Sequence, residues 1–136
     1  MQTYARTIQH TAYRAAAATG AMVAIMNILA DVHDLYFTTW YFDIIMHFLG
    51  GVWFGFLALS FVIWVHQRTA TNQYGHYLIV ALIVLAIGLA WELLEHIAGV
   101  QAVFSSVHIN DTILDLIMDT LGALFSVWAA RKITAK

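Results

Sequence analysis

Four long apolar stretches constrain this chain more than any other feature of its sequence. They occupy residues 15–31, 43–65, 77–98 and 112–130, and the chain contains no proline. About 20 helical residues cross the hydrocarbon core of a bilayer, and a helix satisfies its own backbone hydrogen bonds there. The composition, 62% hydrophobic and 10% charged, is far from that of a soluble domain. We therefore predict an all-α fold, a single integral membrane domain over residues 1–136 with four transmembrane helices in an up-down bundle.

The basic residues predict the orientation of this bundle. All six precede the first stretch, separate the second from the third or follow the fourth: Arg6, Arg14, Arg68, Arg131, Lys132 and Lys136. With an even number of crossings they share one face, which the positive-inside rule assigns to the cytoplasm. We expect both termini in the cytoplasm, the loops at 31–42 and 99–110 outside, and a multi-pass location in a prokaryotic inner membrane.

The acidic residues all fall on the opposite, outer side, and six of the eight lie inside or at the mouth of an apolar stretch. These six are Asp43, Glu92, Glu95, Asp111, Asp115 and Asp119, with His47 and His96 close to them in sequence. Spacings of three and four residues place the members of each stretch on one helix face. Because no Lys or Arg shares their layer, the carboxylates require a bound metal ion or protons.

A divalent metal ion is the leading interpretation of this pattern. The predicted ligands are Asp43, His47, Glu92, Glu95, His96, Asp115 and Asp119. Carboxylates with one or two imidazoles suit Mg, Mn, Ca, Fe or Zn, and so many carboxylates also admit a two-metal site. A site under the outer leaflet would meet membrane lipid, so hydrolysis of a lipid or envelope precursor is the predicted activity. The net charge of −2 gives no indication of nucleic-acid binding.

Other interpretations of the same residues stay open. Carboxylates at increasing depth, from Asp111 through Asp115 to Asp119, suit a pathway for protons or cations. His47 and His96 are candidate axial ligands of a haem. The polar residues can also hold together the helices of a structural or accessory subunit. A homo-oligomer is a further expectation for the chain. Asp111 fits a side chain that reaches the headgroups, and Asp43 one that stabilises a helix start.

Small residues predict where the helices approach one another. Gly51 and Gly55 are four residues apart in the second stretch, and Gly88 and Gly122 lie within the third and fourth. A glycine lets two helix backbones come into contact, so we expect close helix packing at these positions.

Three motifs carry a resemblance to a known group of proteins. Residues 43–51 read D-x3-H-F-x-G-G, residues 91–95 read W-E-x2-E, and residues 111–123 read D-x3-D-x3-D-x2-G-A. In this order the motifs resemble VanZ-like and related small prokaryotic membrane proteins, a group associated with glycopeptide resistance at the cell envelope. The chain has Asp119 where many of those proteins have Asn, and it lacks the basic residue that often follows the first Asp. The resemblance implies a polar site at Asp43, His47, Glu92, Glu95, Asp115 and Asp119, and we infer no resistance phenotype from it.

Overall fold

Helices make up the structure of this chain, a computed structural model that describes residues 2–66, 73–98 and 108–135. In chain order they are α1 (Gln2–His33), α2 (Leu35–Thr38), α3 (Phe42–Val65), α4 (Gln73–Ala98) and α5 (His108–Thr134). These ranges contain no strand, so the predicted all-α class is confirmed for the described part of the chain.

The four long helices are long and apolar enough to cross a membrane, at Thr3–His33, Phe42–Val65, Tyr74–Ala98 and Asp111–Thr134. Large apolar side chains cover their outward faces; Ile97, for example, is 73% exposed and Leu78 is 63% exposed. In water such surfaces would be unfavourable, whereas against lipid tails they are expected. The chain is therefore a multi-pass membrane protein.

The first helix is longer than the stretch predicted from hydropathy. It begins at Gln2, so Arg6 and Arg14, which precede that stretch, lie on the helix. Ile8, Ala12 and Ala16 recur every four residues and are buried, and this stripe extends the packed face of α1 towards the N-terminus. Arg68, Lys136 and residues 99–107 of the predicted outer loop lie outside the described residues.

Helix α3 packs closely against α5, and glycines determine how closely. A Cβ atom on Gly51 would lie 2.7 Å from the Cα atom of Asp119, and one on Gly122 would lie 2.7 Å from the backbone nitrogen of Val52. A Cβ on Gly55 would likewise lie 2.8 Å from the Cα of Ala123. The two backbones are thus in direct contact, which confirms the packing predicted for these glycines.

Contacts along the helices place particular ends together. Positions 51 and 55 of α3 meet positions 119 and 123 of α5, so residue numbers rise in the same direction along both helices. Contacts of α4 with α5 run in the opposite order, because position 92 bonds to position 112 and position 76 to position 131. The first turns of α3 and α5 and the last turns of α4 therefore lie at one end of the bundle.

The charges of the described helices are separated between the two ends of the bundle. The basic residues lie near the start of α1 or the end of α5: Arg6, Arg14, Arg131 and Lys132. These two termini meet, since the Thr134 hydroxyl donates to the Thr11 hydroxyl at 3.3 Å. The acidic residues lie at the other end, so the described basic side chains are remote from the carboxylates.

A short turn connects α1 to α3 at the acidic end. Asp34 adopts a left-handed conformation with φ 53°, which Asp tolerates better than most residues, and α2 follows it. The Tyr36 hydroxyl donates to Asn27 Oδ1 at 2.7 Å, and the Tyr36 ring packs edge-on against Phe42. Burial, followed by the negative charge of Asp43, raises the pKa of Tyr36 from 10.0 to about 12.

Candidate functional site

His47 is the centre of the polar cluster at the acidic end of the bundle. Its side chain is 8% exposed. It faces four carboxylates, one from its own helix and three from two other helices. These are Asp43 on α3, Glu92 on α4, and Asp115 and Asp119 on α5. Side chains from three of the predicted stretches thus form one buried cluster of a histidine and carboxylates.

Helix geometry explains how these side chains meet. Asp43 and His47 are one turn apart at the start of α3, and Asp115 and Asp119 are one turn apart on α5. Because the α3 and α5 backbones touch at Gly51, short Asp side chains on α5 reach the imidazole on α3. Helix α4 is farther away, and it contributes the longer glutamate side chain of Glu92.

The distances around His47 are longer than direct hydrogen bonds. Nε2 lies 3.8 Å from Asp43 Oδ1, 4.0 Å from Glu92 Oε1 and 4.0 Å from Asp115 Oδ2. An N–H···O hydrogen bond spans about 2.7–3.2 Å. Two ligands that each lie about 2.1 Å from one ion are separated by at most about 4.2 Å. The spacing around Nε2 therefore lies just within the upper limit for atoms that share a small cation, and a modest inward movement of the carboxylates would complete the site.

The other ring nitrogen of His47 has a different neighbour. Nδ1 lies 3.5 Å from Asp119 Oδ1, and Asp119 belongs to neither group of side chains that could hold an ion. The two ring nitrogens therefore face different carboxylates, with Asp119 on one side and the remaining three on the other.

Two carboxylate oxygens of the cluster are buried without a hydrogen-bond partner, Glu92 Oε1 and Asp115 Oδ1. The Asp115 side chain is only 5% exposed. A buried acceptor without a donor costs about 1–3 kcal/mol, and more when it is charged. These oxygens are thus positioned for a ligand that supplies positive charge.

Neighbouring side chains hold the glutamates of α4 in place. The Thr112 hydroxyl donates to Glu92 Oε2 at 2.7 Å, and this bond directs the other oxygen of Glu92 towards His47. Trp91 Nε1 donates to Glu95 Oε1 at 2.7 Å. Helical spacing alone predicted no role for Thr112 or Trp91, although Thr112 lies three residues before Asp115 and shares its helix face.

Two groups of side chains have ligand atoms close enough to hold one ion. The first comprises Asp43, His47 and Asp115, and the second comprises His47, Glu92 and Glu95; within each, the atoms lie within 4.8 Å of one another. The donors are one imidazole and carboxylates, a mixed set that suits Zn, Mn or Fe. Both groups share His47, so they describe one centre.

His96, a predicted ligand, does not join this centre, and neither does Asp111, whose side chain the sequence pattern assigned to the headgroups. His96 is exposed on the last turn of α4, and Asp111 is half-buried on the first turn of α5. Neither belongs to a group that could hold an ion. His96 is thus exposed whereas His47 is buried, an arrangement that does not favour the paired axial ligands of the haem interpretation. The role of His96 as a metal ligand stays a prediction.

Comparison with known proteins identifies a family and no closer relative. The sequence model of a family described as predicted membrane protein (DUF2238) matches residues 4–136. Comparison with curated proteins finds no match, and comparison with solved structures finds none either. The match supports the expected kind of family, a small membrane protein, and gives no support to the VanZ-like assignment in particular.

Proposed function

The chain belongs to the DUF2238 family of predicted membrane proteins, and we propose that it functions by holding one divalent metal ion at the His47 cluster. The observation that carries this proposal is the geometry around His47 Nε2. Three carboxylates lie 3.8–4.0 Å from this nitrogen, and two of them, Glu92 and Asp115, have a buried oxygen without a hydrogen-bond partner.

Electrostatics favours a cation at this position. Two carboxylates about 4 Å apart repel each other by about 4 kcal/mol at an effective dielectric constant of 20. Each charged side chain near the centre of a span costs a further 2.5–3.5 kcal/mol or so on insertion scales. The described Lys and Arg residues are at the far end of the bundle and cannot offset these costs. A divalent ion neutralises two carboxylates at once.

The ligand set favours one ion of intermediate softness. We propose that Asp43, His47 and Asp115 bind it, with Glu92 as a further ligand. Mg and Ca prefer oxygen ligands throughout, whereas an imidazole with carboxylates suits Zn, Mn or Fe. The two-metal alternative is less well supported, because both candidate groups depend on the single imidazole of His47.

The activity that we propose for this site is hydrolysis of a lipid or lipid-linked precursor. The bound ion would activate water and polarise a phosphoryl or carbonyl oxygen. Glu95 is partly exposed and lies beside the cluster, so it is positioned to take the proton of the attacking water and pass it to the leaving alcohol.

Access from the membrane supports a lipid substrate. A shallow, open apolar groove on the α4–α5 face is lined by Leu85, Ile113, Leu116, Ile117, Thr120 and Leu121. Leu116 follows Asp115 directly, and a Cβ atom on Gly88 would meet both Leu116 and Asp119. The groove therefore passes beside the polar cluster, where it offers a path for an acyl or polyprenyl chain.

Metal content is the first test of this proposal. We expect elemental analysis of the detergent-purified protein to find one equivalent of metal, lost in Asp115→Asn and reduced in Glu92→Gln. Asp31→Asn is the matched control, because Asp31 is an exposed carboxylate outside the cluster. Equal metal content in all of these variants would overturn the metal site. Phosphate release from a polyprenyl phosphate in vesicles, dependent on Asp115, would then support hydrolysis.

A proton or cation pathway is the second candidate function. It is favoured by the depth of the carboxylates, because Asp119 lies roughly 12 Å along the helix from Asp111. Towards the other end, the buried hydroxyls of Ser60 and Ser126 donate to carbonyls of their own helices. The path therefore has no evident continuation among these residues. Proton flux into liposomes without bound metal would favour this function, and neither flux nor metal would favour a structural role.

The orientation and assembly of the protein belong to the same proposal. We propose that the helices alternate in direction across the bilayer, with both termini in the cytoplasm and the cluster in the outer half. The separation of basic and acidic ends supports this orientation through the positive-inside rule. From the sequence we also propose a location in a prokaryotic inner membrane, an affiliation with VanZ-like proteins and assembly into a homo-oligomer.

A further inference from the structure

The two nitrogens of the His47 ring have separate surroundings, and this separation suggests separate roles for the acidic residues. Nε2 faces Asp43, Glu92 and Asp115, whereas Nδ1 faces Asp119 at 3.5 Å. A neutral imidazole has one N–H donor and one lone-pair acceptor, and only the lone pair binds a metal. The carboxylate opposite one nitrogen therefore determines which nitrogen is available to an ion.

We infer that Asp119 is a positioning residue and not a ligand: it holds the proton on His47 Nδ1 and so presents the Nε2 lone pair to the ion. This inference rests on the proposed metal site. Histidine ligands of metals commonly donate their second N–H to a carboxylate, which fixes the ring and its tautomer. Asp119 stands on that side of the ring, at the shortest of the four distances; its 3.5 Å to Nδ1 would close by about 0.3 Å to form the hydrogen bond. The groups able to hold an ion do not include Asp119.

The surroundings of Asp119 restrict its movement. Its backbone lies against Gly51 of α3, and a Cβ atom on Gly88 of α4 would meet its second oxygen, Oδ2. The residue is 6% exposed, so water has little access to its carboxylate. Asp119 is thus enclosed between two glycines, and its oxygen Oδ1 is directed towards the ring.

Asp115 provides the internal comparison for this assignment. It lies one turn before Asp119 on the same helix, and it is similarly buried, since the whole residue is 3% exposed. Its oxygen Oδ2 faces Nε2, whereas the oxygen of Asp119 faces Nδ1. The two residues thus share chemistry, helix and burial and differ in the nitrogen that they face, so Asn variants of both form a matched pair.

The test uses zinc as the probe in detergent-purified protein with ¹⁵N-labelled histidine. In the wild-type protein we expect zinc on Nε2 and a proton on Nδ1, shifted downfield by the carboxylate. Asp119→Asn should keep one zinc per chain and raise its Kd about 10–100-fold, the usual effect of losing such a partner. Asp115→Asn should lose the zinc.

A second variant changes Asp119 without altering its chemistry. Gly88→Ala places a methyl group against Asp119 Oδ2, so the carboxylate must move. We expect the Nδ1 proton to shift upfield and zinc to bind more weakly, with the stoichiometry unchanged. Gly50→Ala is the control, since a Cβ atom there would have no neighbour within 4 Å.

The outcomes separate this inference from the proposed function. Zinc on Nδ1, or loss of zinc in Asp119→Asn to the same extent as in Asp115→Asn, would make Asp119 a ligand and overturn the inference while leaving the metal site intact. A wild-type protein that binds no zinc or other divalent metal would overturn the proposed function and this inference with it. The wild-type tautomer is decisive even if a variant does not fold.

Discussion

Gly51→Ala is expected to weaken both the fold and the metal site, whereas the neighbouring Gly50→Ala should weaken neither. A Cβ atom at position 51 would lie 2.7 Å from the Cα atom of Asp119, and one at position 50 would have no neighbour within 4 Å. Carbon atoms pack at about 3.5–4.0 Å, so α3 and α5 must separate by about 1 Å to accept the methyl group.

The pair of variants isolates the effect of this contact on stability. Both exchange a glycine for alanine inside the same helix, so both gain a similar helix propensity of up to about 1 kcal/mol. Overpacking typically costs about 1–3 kcal/mol. We therefore expect Gly51→Ala to be about 1–3 kcal/mol less stable than Gly50→Ala in denaturant unfolding in micelles, followed by circular dichroism.

The same separation should be visible in zinc binding. Asp115 Oδ2 lies 4.0 Å from His47 Nε2, and a further 1 Å or so would exceed the roughly 4.2 Å that two ligands of one small ion can span. We expect weaker zinc binding in Gly51→Ala by titration calorimetry and wild-type binding in Gly50→Ala. Equal stability and equal binding in both variants would refute the direct backbone contact between α3 and α5.

Three further predictions address other parts of the molecule. Because the pKa of Tyr36 is raised to about 12 from 10.0, its neutral phenol stabilises the fold fully below pH 10, and this contribution is lost as the pH rises to 12. Tyr36→Phe should remove the absorbance transition near pH 12 and that loss of stability; an unchanged titration would contradict the burial of the phenol. Thr112→Val should lower zinc affinity without changing the stoichiometry, because Glu92 loses a hydrogen bond worth about 1.5–3 kcal/mol. Unchanged affinity would contradict the role of this bond in directing Glu92 towards the ion. A cytoplasmic reporter fused after Lys136 should be active, and an active periplasmic reporter there would reverse the proposed orientation.

The polar cluster was predictable in outline from helical spacing alone. Asp43 with His47, and Asp115 with Asp119, are four residues apart, and such a spacing puts side chains on one face whatever the neighbouring helices do. Glycines at positions 51 and 122 predicted the close approach that brings these faces together, and the structure confirms it. Local periodicity therefore accounts for most of the candidate site.

Other features depend on tertiary contacts that periodicity does not encode. The two nitrogens of His47 face different carboxylates because of the rotation of α3 against α5, and no spacing in the sequence specifies that rotation. His96 lies four residues after Glu92, yet it is exposed, since the last turn of α4 presents a different side chain to the cluster. Helix α1 begins before its apolar stretch because the buried side chains of Ile8, Ala12 and Ala16 extend the packed face of the helix.

The backbone contact between α3 and α5 should determine how the candidate site responds to bilayer thickness. A helix that is too long for the local hydrocarbon core tilts, and rigidly joined helices tilt together. Asp43, His47 and Asp115 lie on this joined pair, so their mutual distances should be the same in thin and thick membranes. Helix α4 meets α5 through side chains, at Gly88 and in the Thr112–Glu92 hydrogen bond, so lipid chain length should act on the site mainly through the α4 residues Glu92 and Glu95.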